Sequence, residues 1–228
     1  MNKFSFIIIT LFSSIFLNLN VYGQGVSQSQ LKFNKYCDKL NPDILSKTFE
    51  LEGDYYWDEN FKPGQVKLKE NDSLLDLNLR YCIYNQEFQF VLNGDTVSLN
   101  RIDKVEYITI NNSKFIYTES HINNKKSCYE ILVDGSFQLL KHYKCKLVKG
   151  KENVSSFEEK IPDHYIIKTN LFFKKNNQDI LKIPSKKSNF YKMFNTSNDK
   201  LIKFVNSNKY KHKKETDLIK IFTYYNSL

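Results

Sequence analysis

The stretch from Asp76 to Leu99, DLNLRYCIYNQEFQFVLNGDTVSL, constrains the fold of this chain more than any other. Its first part alternates between polar residues and large apolar ones, the latter being Leu77, Leu79, Tyr81 and Ile83. This period of two places the apolar side chains on one face of a β-strand, whereas an amphipathic helix needs a period of 3.6 residues. Further along, Asn93-Gly94 favours a two-residue type I′ turn, because both central residues of that turn need a positive φ. The stretch therefore predicts three antiparallel strands joined by two tight turns.

Turn chemistry and apolar pattern together predict the strand register. With a two-residue turn at Asn93-Gly94, Phe90 lies opposite Val97. A second two-residue turn at Asn85-Gln86 would place Tyr81 opposite Phe90. Both turns keep the large apolar residues on one face, and a slip by one residue would turn the whole set into water. We therefore expect this face to be buried.

Similar signals continue along the chain up to Pro184. Further strands are predicted at Gln65–Lys69, Lys104–Ile110, Lys114–Glu119, Tyr129–Val133, Ser136–Val148, Tyr165–Lys168 and Ile180–Ile183. The polar residues His121–Ser127 predict a loop, and Lys149–Asp163 predict a crossing segment or linker. About eight strands with short turns predict an antiparallel β-meander sheet over residues 51–184. Such a sheet must curl into a roll or partial barrel, or fold into a sandwich, to bury one face.

The period changes in the C-terminal region, residues 185–228. Apolar residues recur there at helical spacing, as in Leu218, Ile221, Phe222 and Tyr225. We predict about three short amphipathic helices, with Ser188 and Ser197 as N-cap candidates. Helices this short are not stable alone in water, so they must dock as a bundle on each other or on the sheet. The predicted fold class is therefore α+β.

The N-terminal region predicts export. Residues 1–23 combine Lys3, an apolar run and a small residue, Gly23, at the end, as a cleaved signal peptide does. Polar residues interrupt the run, and it is shorter than the ~20 residues that a membrane span needs. We expect a periplasmic or secreted protein with no stable membrane insertion after cleavage. Residues 24–50 predict an N-terminal arm with some helix.

The charge distribution bears on possible partners. The formal net charge is +9, with +1 from Lys3, −4 from residues 24–106 (10 basic, 14 acidic) and +12 from residues 107–228 (23 basic, 11 acidic). Arg80 and Arg101 are the only arginines, whereas phosphate and base recognition rely on the arginine fork. No nucleic-acid partner is expected. Lys209–Lys214 predicts a solvated connection between helices, and its docking on an anionic surface is an alternative.

The candidate binding site is the loop Gly53–Gly64, GDYYWDENFKPG. Its candidate binding residues are Asp54, Tyr55, Trp57, Asp58 and Glu59. One interpretation is a partner surface, because exposed aromatic residues make good anchors. The other is an incoming strand whose rings cap the core while the acidic side chains face solvent. The second interpretation is favoured, since buried aromatic residues outnumber exposed ones.

No catalytic motif, metal site or cofactor site is predicted. The cysteines Cys37, Cys82, Cys128 and Cys145 lack the CxxC spacing of zinc sites. A two-residue turn at Asp134-Gly135 would place Cys128 opposite Lys141, too far from Cys145 for a bridge, while a Cys37–Cys82 bridge stays open. Strand alternation points His142 and Cys145 to opposite faces, which excludes a dyad.

Several stretches together resemble a known group of proteins: GDYYWDENFKPG, LRYCIYNQEFQF, IDKVEYI, YEILVDGSFQLLKHYKCKL and ETDLIKIFTYYNSL. They are similar to an uncharacterised family of secreted proteins from the Bacteroidota. This resemblance covers roughly residues 51–228 and implies export and a bacterial envelope setting. The family has no established activity, so the resemblance implies no site residues.

The favoured function is a binding or structural module for another envelope protein or a glycan. The basis is a β scaffold joined by turns, an aromatic–acidic loop and no recognisable catalytic constellation. An alternative is a hydrolase of cell-wall or glycan polymers that uses Asp54 and Glu59, because glycoside hydrolysis employs paired carboxylates.

Overall fold

The computed structural model describes residues 37–39, 53–70, 73–120, 125–151, 161–176, 178–194 and 199–228. These residues form one open antiparallel sheet followed by three helices, which confirms the α+β class. The strands are β1 (Cys37–Lys39), β2 (Lys62–Leu68), β3 (Leu74–Cys82), β4 (Glu87–Leu92), β5 (Asp95–Leu99), β6 (Val105–Ile110), β7 (Ser113–Ser120), β8 (Lys125–Val133), β9 (Phe137–Val148), β10 (His164–Lys175) and β11 (Leu181–Lys182). The helices are α1 (Lys187–Met193), α2 (Asp199–Ser207) and α3 (Glu215–Asn226).

The strand order departs from a simple meander at two points. It runs β1-β5-β4-β3-β2-β6-β7-β8-β9-β10-β11, so β1 pairs with β5 and β6 returns to the free side of β2. In a flat sheet, β5 and β6 would be about 19 Å apart across the strands. Their connection contains a 3-10 turn at Ile102–Lys104 and reaches only about 16 Å. The sheet must therefore be strongly curled here, as predicted for a roll or partial barrel.

The β4–β5 hairpin confirms its predicted register. Phe90 lies opposite Val97, and the turn residues Asn93 and Gly94 have φ of 53° and 87°, as a type I′ turn requires. The β3–β4 register was predicted wrongly, because Tyr81 lies opposite Phe88.

The cause of this difference is a longer β3–β4 turn, which spans Ile83 to Gln86. Gln86 has a φ of 59°, and its side-chain amide donates a hydrogen bond to the Ile83 carbonyl at 2.8 Å. The register therefore shifts by two residues. A shift by two keeps every side chain on its face, so the predicted burial of Tyr81 is confirmed.

Aromatic rings from several strands meet inside the curled sheet. Tyr81 stacks on Phe88 with ring centroids 4.7 Å apart, and Phe115 of β7 packs against both. At the β3–β4 turn, Gln86 accepts a hydrogen bond from the Tyr117 hydroxyl and donates one to the Tyr143 carbonyl. Because Tyr143 belongs to β9, the turn bridges the interior from one half of the sheet to the other.

The β8–β9 hairpin forms around Asp134-Gly135 as predicted, but its register was predicted wrongly. Glu130, not Cys128, lies opposite Lys141, because the strands are joined by a longer turn and a bulge follows Ile131. Among the described cysteines, Cys82, Cys128 and Cys145 are free thiols, which excludes the Cys37–Cys82 bridge that the sequence left open.

Two predicted segments also need correction. β8 begins at Lys125, inside the predicted polar loop. β10 pairs with β9 along its whole length, from His164 opposite Val148, so of the two alternatives for the polar segment between them the linker agrees with the pairing. Cys37–Lys39 is a strand where the arm was predicted to have some helix. Residues 1–36 and 40–52, which hold the predicted signal peptide and most of the arm, lie outside the described residues.

The three helices form a second apolar core against one end of the sheet. Phe190, Phe194 and Phe222 surround Phe137 at the start of β9. The side chain of Asn226 in α3 both accepts a hydrogen bond from the Phe137 amide and donates one to its carbonyl. This contact closes the β8–β9 turn against the last helix.

The predicted cap of α1 was wrong. Ser188 lies inside the helix, because the backbone is extended at Lys186 and the helix begins at Lys187 without a side-chain cap. Ser197 lies outside the described residues. None of the helices that the structure describes is long and apolar enough to span a bilayer.

Replacing Gly94 with alanine tests the turn chemistry. A Cβ at this position would meet no atom within 4 Å, so the φ of 87° alone sets the cost. We expect the free energy of unfolding to fall by about 1 kcal/mol, measured by urea denaturation. A stability equal to that of the unchanged protein would contradict the type I′ geometry.

Candidate functional site

The aromatic–acidic loop continues the line of β2 in the N-terminal direction. Tyr56 pairs with Cys82, and the Trp57 amide donates a hydrogen bond to the Tyr81 carbonyl at 3.0 Å. The chain then leaves the ladder and rejoins it at Lys62. The structure thus shows the incoming-strand arrangement that the sequence favoured.

The rings of this loop pack mainly inward. Tyr55 and Tyr56 are buried, and Tyr55 lies 5.2 Å from the ring of Tyr165 on β10. Trp57 is half-buried, with its edge on Phe115, and its indole N–H donates to the Tyr143 hydroxyl at 3.2 Å. Burial also raises the pKa of Tyr56. These rings stabilise the fold, and their contact with a ligand stays a prediction.

The acidic side chains of the loop face solvent. Asp54 and Glu59 are exposed. Asp58 accepts a hydrogen bond from the Asn60 amide at 2.9 Å and pairs with Lys62, and the amide bond is the main cause of its lowered pKa. No cluster of three metal-ligating side chains occurs in the part of the chain that the structure describes. The Asp58 carboxylate therefore shapes a turn.

Arg80 fixes the end of the loop to the outer face of the sheet. Its guanidinium lies between the rings of Tyr56 and Phe61, 4.0 and 4.5 Å from their centroids. It also donates to the Gln89 side-chain oxygen at 2.7 Å and to the Glu59 carbonyl at 3.2 Å. A stacked, forked arginine of this kind holds its neighbours in one geometry, so Phe61 has a defined position.

Phe61 borders a groove of about 1370 Å³ that crosses β6, β2, β3 and β4. The turns of the β4–β5 and β6–β7 hairpins stand at its ends. The lining residues are Phe61, Pro63, Gly64, Gln65, Asp76, Leu77, Asn78, Val91, Leu92, Asn93, Gly94, Thr109, Asn111 and Asn112. This groove is the candidate binding site, and none of the five predicted binding residues lines it.

The lining combines uncharged polar groups with apolar surface. Asp76 supplies the one carboxylate of the lining, and it accepts a hydrogen bond from the Gln65 side chain at 2.8 Å. Asn78 and the neighbouring amides and hydroxyl offer further donors and acceptors. Val91 is 49% exposed beside them and supplies apolar surface to the lining. The lining has no lysine, arginine or histidine.

Gly64 allows β2 and β6 to approach beneath the groove. A Cβ on this residue would lie 2.2 Å from the Thr109 carbonyl oxygen, closer than any real contact. Any larger residue would push the two strands apart. The shape of the groove floor thus depends on a residue with no side chain.

A buried polar cluster lies on the inner face, away from the groove. The Glu130 carboxylate accepts hydrogen bonds from Tyr143 at 2.5 Å and from Ser113 at 2.6 Å. Burial and the Glu130 bond raise the pKa of Tyr143, whose hydroxyl also receives the Trp57 indole. Both carboxylate oxygens have donors, as a buried carboxylate requires. We interpret this cluster as a brace between the loop, β7, β8 and β9.

The predicted separation of His142 from Cys145 is confirmed. His142 packs between Tyr129 and Phe172 on the outer face, whereas Cys145 lies against the inner core. Burial raises the pKa of Cys145 to about 11, so the group is a protonated thiol and a weak nucleophile at neutral pH.

Comparison of the chain with protein-family models, curated proteins and solved structures found no match. Any ligand is therefore inferred from the chemistry of the groove.

The sequence contained one usable signal for this groove. The polar residues of the β3 alternation, Asp76, Asn78 and Arg80, lie on the face opposite the core, and two of them line the groove. No local signal links Thr109 and Asn111 to this face, because the pairing of β6 with β2 joins residues that are distant in sequence.

Proposed function

We propose that this protein is an exported envelope module that binds a neutral oligosaccharide in the groove. One observation carries the proposal: the lining joins uncharged amides and a hydroxyl to the apolar surfaces of Phe61 and Val91 and contains no basic residue. Binding sites of this kind take their affinity from apolar contact and their specificity from a few fixed polar groups.

The chemistry of a sugar fits both halves of this lining. A pyranose presents an apolar C–H face that packs on an aromatic ring, and a rim of hydroxyls that exchange hydrogen bonds with amides and carboxylates. Arg80 holds Phe61 in place, so little side-chain freedom is lost when a ring packs on it. Four strands spaced ~4.8 Å apart make the groove roughly 15 Å long, enough for several sugar units.

The lining supports binding without hydrolysis. Glycoside hydrolysis employs two carboxylates on either side of the bond, and Asp76 is the only carboxylate among the lining residues. Asp54 and Glu59, the pair in the alternative hydrolase hypothesis, lie on the exposed part of the loop and outside the lining.

Two groove substitutions test the proposal. Phe61→Ala removes the stacking ring, and Asn78→Ala removes a donor and an acceptor. We expect each to weaken binding of a neutral oligosaccharide about tenfold, or about 1.4 kcal/mol. A glycan array would find the ligand, and calorimetry would measure its dissociation constant.

Asn206→Ala is the matched control, because Asn206 is an exposed asparagine on α2, outside the lining. Its affinity should equal that of the unchanged protein. Unchanged affinity in both groove variants would place the site elsewhere. Loss of binding in Asp54→Asn and Glu59→Gln variants, with release of shortened glycan by the unchanged protein, would favour the hydrolase.

A further inference from the structure

The outer face of the β9–β10 hairpin carries three lysines close together. Lys144 lies directly opposite Lys168, and Lys146 lies opposite Ile166. All three lysines are exposed, and none has an ion pair among the described residues. Like charges directly opposite each other destabilise a sheet. The repulsion between these lysines lowers the stability of the hairpin, and a bound anionic partner would offset it.

Two aliphatic side chains lie beside these lysines on the same face of the hairpin. Ile166, opposite Lys146, is 37% exposed, and Val148, opposite His164, is 36% exposed. Exposed large apolar residues scattered singly are normal, but two neighbouring ones beside a cluster of lysines mark an interaction surface.

We infer that this lysine–aliphatic face of the β9–β10 hairpin docks the protein on an anionic membrane surface. Lysines near a bilayer are attracted to anionic headgroups, and aliphatic side chains gain by entering the boundary of the hydrocarbon. An acidic polysaccharide would complement the lysines and leave the aliphatic side chains in water. The combination of both features therefore favours the bilayer.

This surface is separate from the groove. The groove crosses β6, β2, β3 and β4, whereas the lysines lie on β9 and β10, with β7 and β8 between them. A molecule docked through the hairpin could thus hold a glycan at the same time. The inference does not depend on the ligand proposed for the groove.

Cosedimentation with lipid vesicles tests the inference on the full-length chain. Vesicles of phosphatidylcholine with one quarter phosphatidylglycerol should bind the protein at least tenfold more tightly than pure phosphatidylcholine. Most of this difference should disappear in 0.5 M NaCl, because salt screens exposed charges. The triple variant Lys144→Glu, Lys146→Glu, Lys168→Glu should lose at least tenfold in affinity. Equal binding of the unchanged protein to both vesicle types would overturn the inference.

A matched triple variant, Lys200→Glu, Lys203→Glu, Lys213→Glu, changes the same charge on exposed lysines of the helical region. All variants and the unchanged protein have the same N-terminal residues. Any vesicle binding through those residues is therefore equal in all of them and does not affect the comparison. We expect it to bind like the unchanged protein. A tenfold loss in this variant alone would assign the docking to the C-terminal lysines and overturn the inference.

The aliphatic residues separate a bilayer from an acidic polymer. Val148→Ser with Ile166→Ser should weaken vesicle binding severalfold and leave binding of soluble polygalacturonate unchanged. Full vesicle affinity in this variant would mean that charge alone is recognised, which overturns docking through the bilayer boundary. Thermal unfolding of each variant verifies that the sheet is intact.

Discussion

Replacing Phe115 with alanine is expected to lower the free energy of unfolding by about 4 kcal/mol. Phe115 is 1% exposed and joins three parts of the fold. Its ring lies 5.6 Å from Trp57 of the loop, 5.7 Å from Tyr81 of β3 and 5.4 Å from Phe88 of β4. The cavity would open where these elements meet, and the curled backbone around it cannot easily collapse to fill it. Urea denaturation followed by Trp57 fluorescence measures the change, since the chain has one tryptophan.

Val91→Ala serves as the control for this substitution. Val91 lies on the outer face with 49% of its surface exposed, so its truncation should cost less than about 1 kcal/mol. A cost below about 1 kcal/mol for Phe115→Ala as well would mean that β7 does not pack on the interior side of β3 and β4. The proposed curl of the sheet would then be wrong.

Acidification is expected to destabilise the protein through His142. Burial, followed by the charge of Lys144, lowers the pKa of His142 from 6.5 to about 4. Between these two values the unfolded chain binds a proton that the folded protein does not. The contribution of neutral His142 to the free energy of unfolding is therefore fully present above about pH 6.5. It is lost as the pH drops towards 4, and the loss is about 3 kcal/mol at most.

His142→Phe should remove this pH dependence, because a phenyl ring fits between Tyr129 and Phe172 and does not titrate. Denaturation midpoints at pH 7.5 and pH 4.5 would be compared for both proteins. The control His164→Phe removes a histidine outside the contact with Tyr129 and Phe172, and its loss on acidification is the reference for the His142 variant. An equal loss in the His142 variant would show that carboxylates alone cause it.

Local signals in the sequence predicted most of the architecture. The alternation around Tyr81 identified the buried face, and Asn93-Gly94 identified a turn that the backbone dihedrals confirm. Helical spacing identified the residues that α3 buries, including Leu218, Ile221 and Phe222. These signals succeed because side-chain periodicity and turn preference depend only on neighbouring residues.

The same local signals were weaker for turn length. The β3–β4 and β8–β9 turns each proved longer than two residues, which shifted the partners of Tyr81 and Lys141. A shift by two preserves the faces, so the pattern alone cannot distinguish such registers. In the β3–β4 turn, the Gln86 side-chain amide donates hydrogen bonds to the carbonyls of Ile83 and Tyr143, and these bonds stabilise the longer turn.

The sequence by itself determined which residues are buried, where the hairpins turn and where the helices begin to replace strands. Only the tertiary structure decided that β6 returns beside β2, that Arg80 clamps Phe61 and that Lys144 meets Lys168. The groove and the lysine–aliphatic face both arise from residues that are distant in sequence. Their juxtaposition depends on the pairing and curvature of the whole sheet, which are set by the packing of one continuous core and not by any local preference.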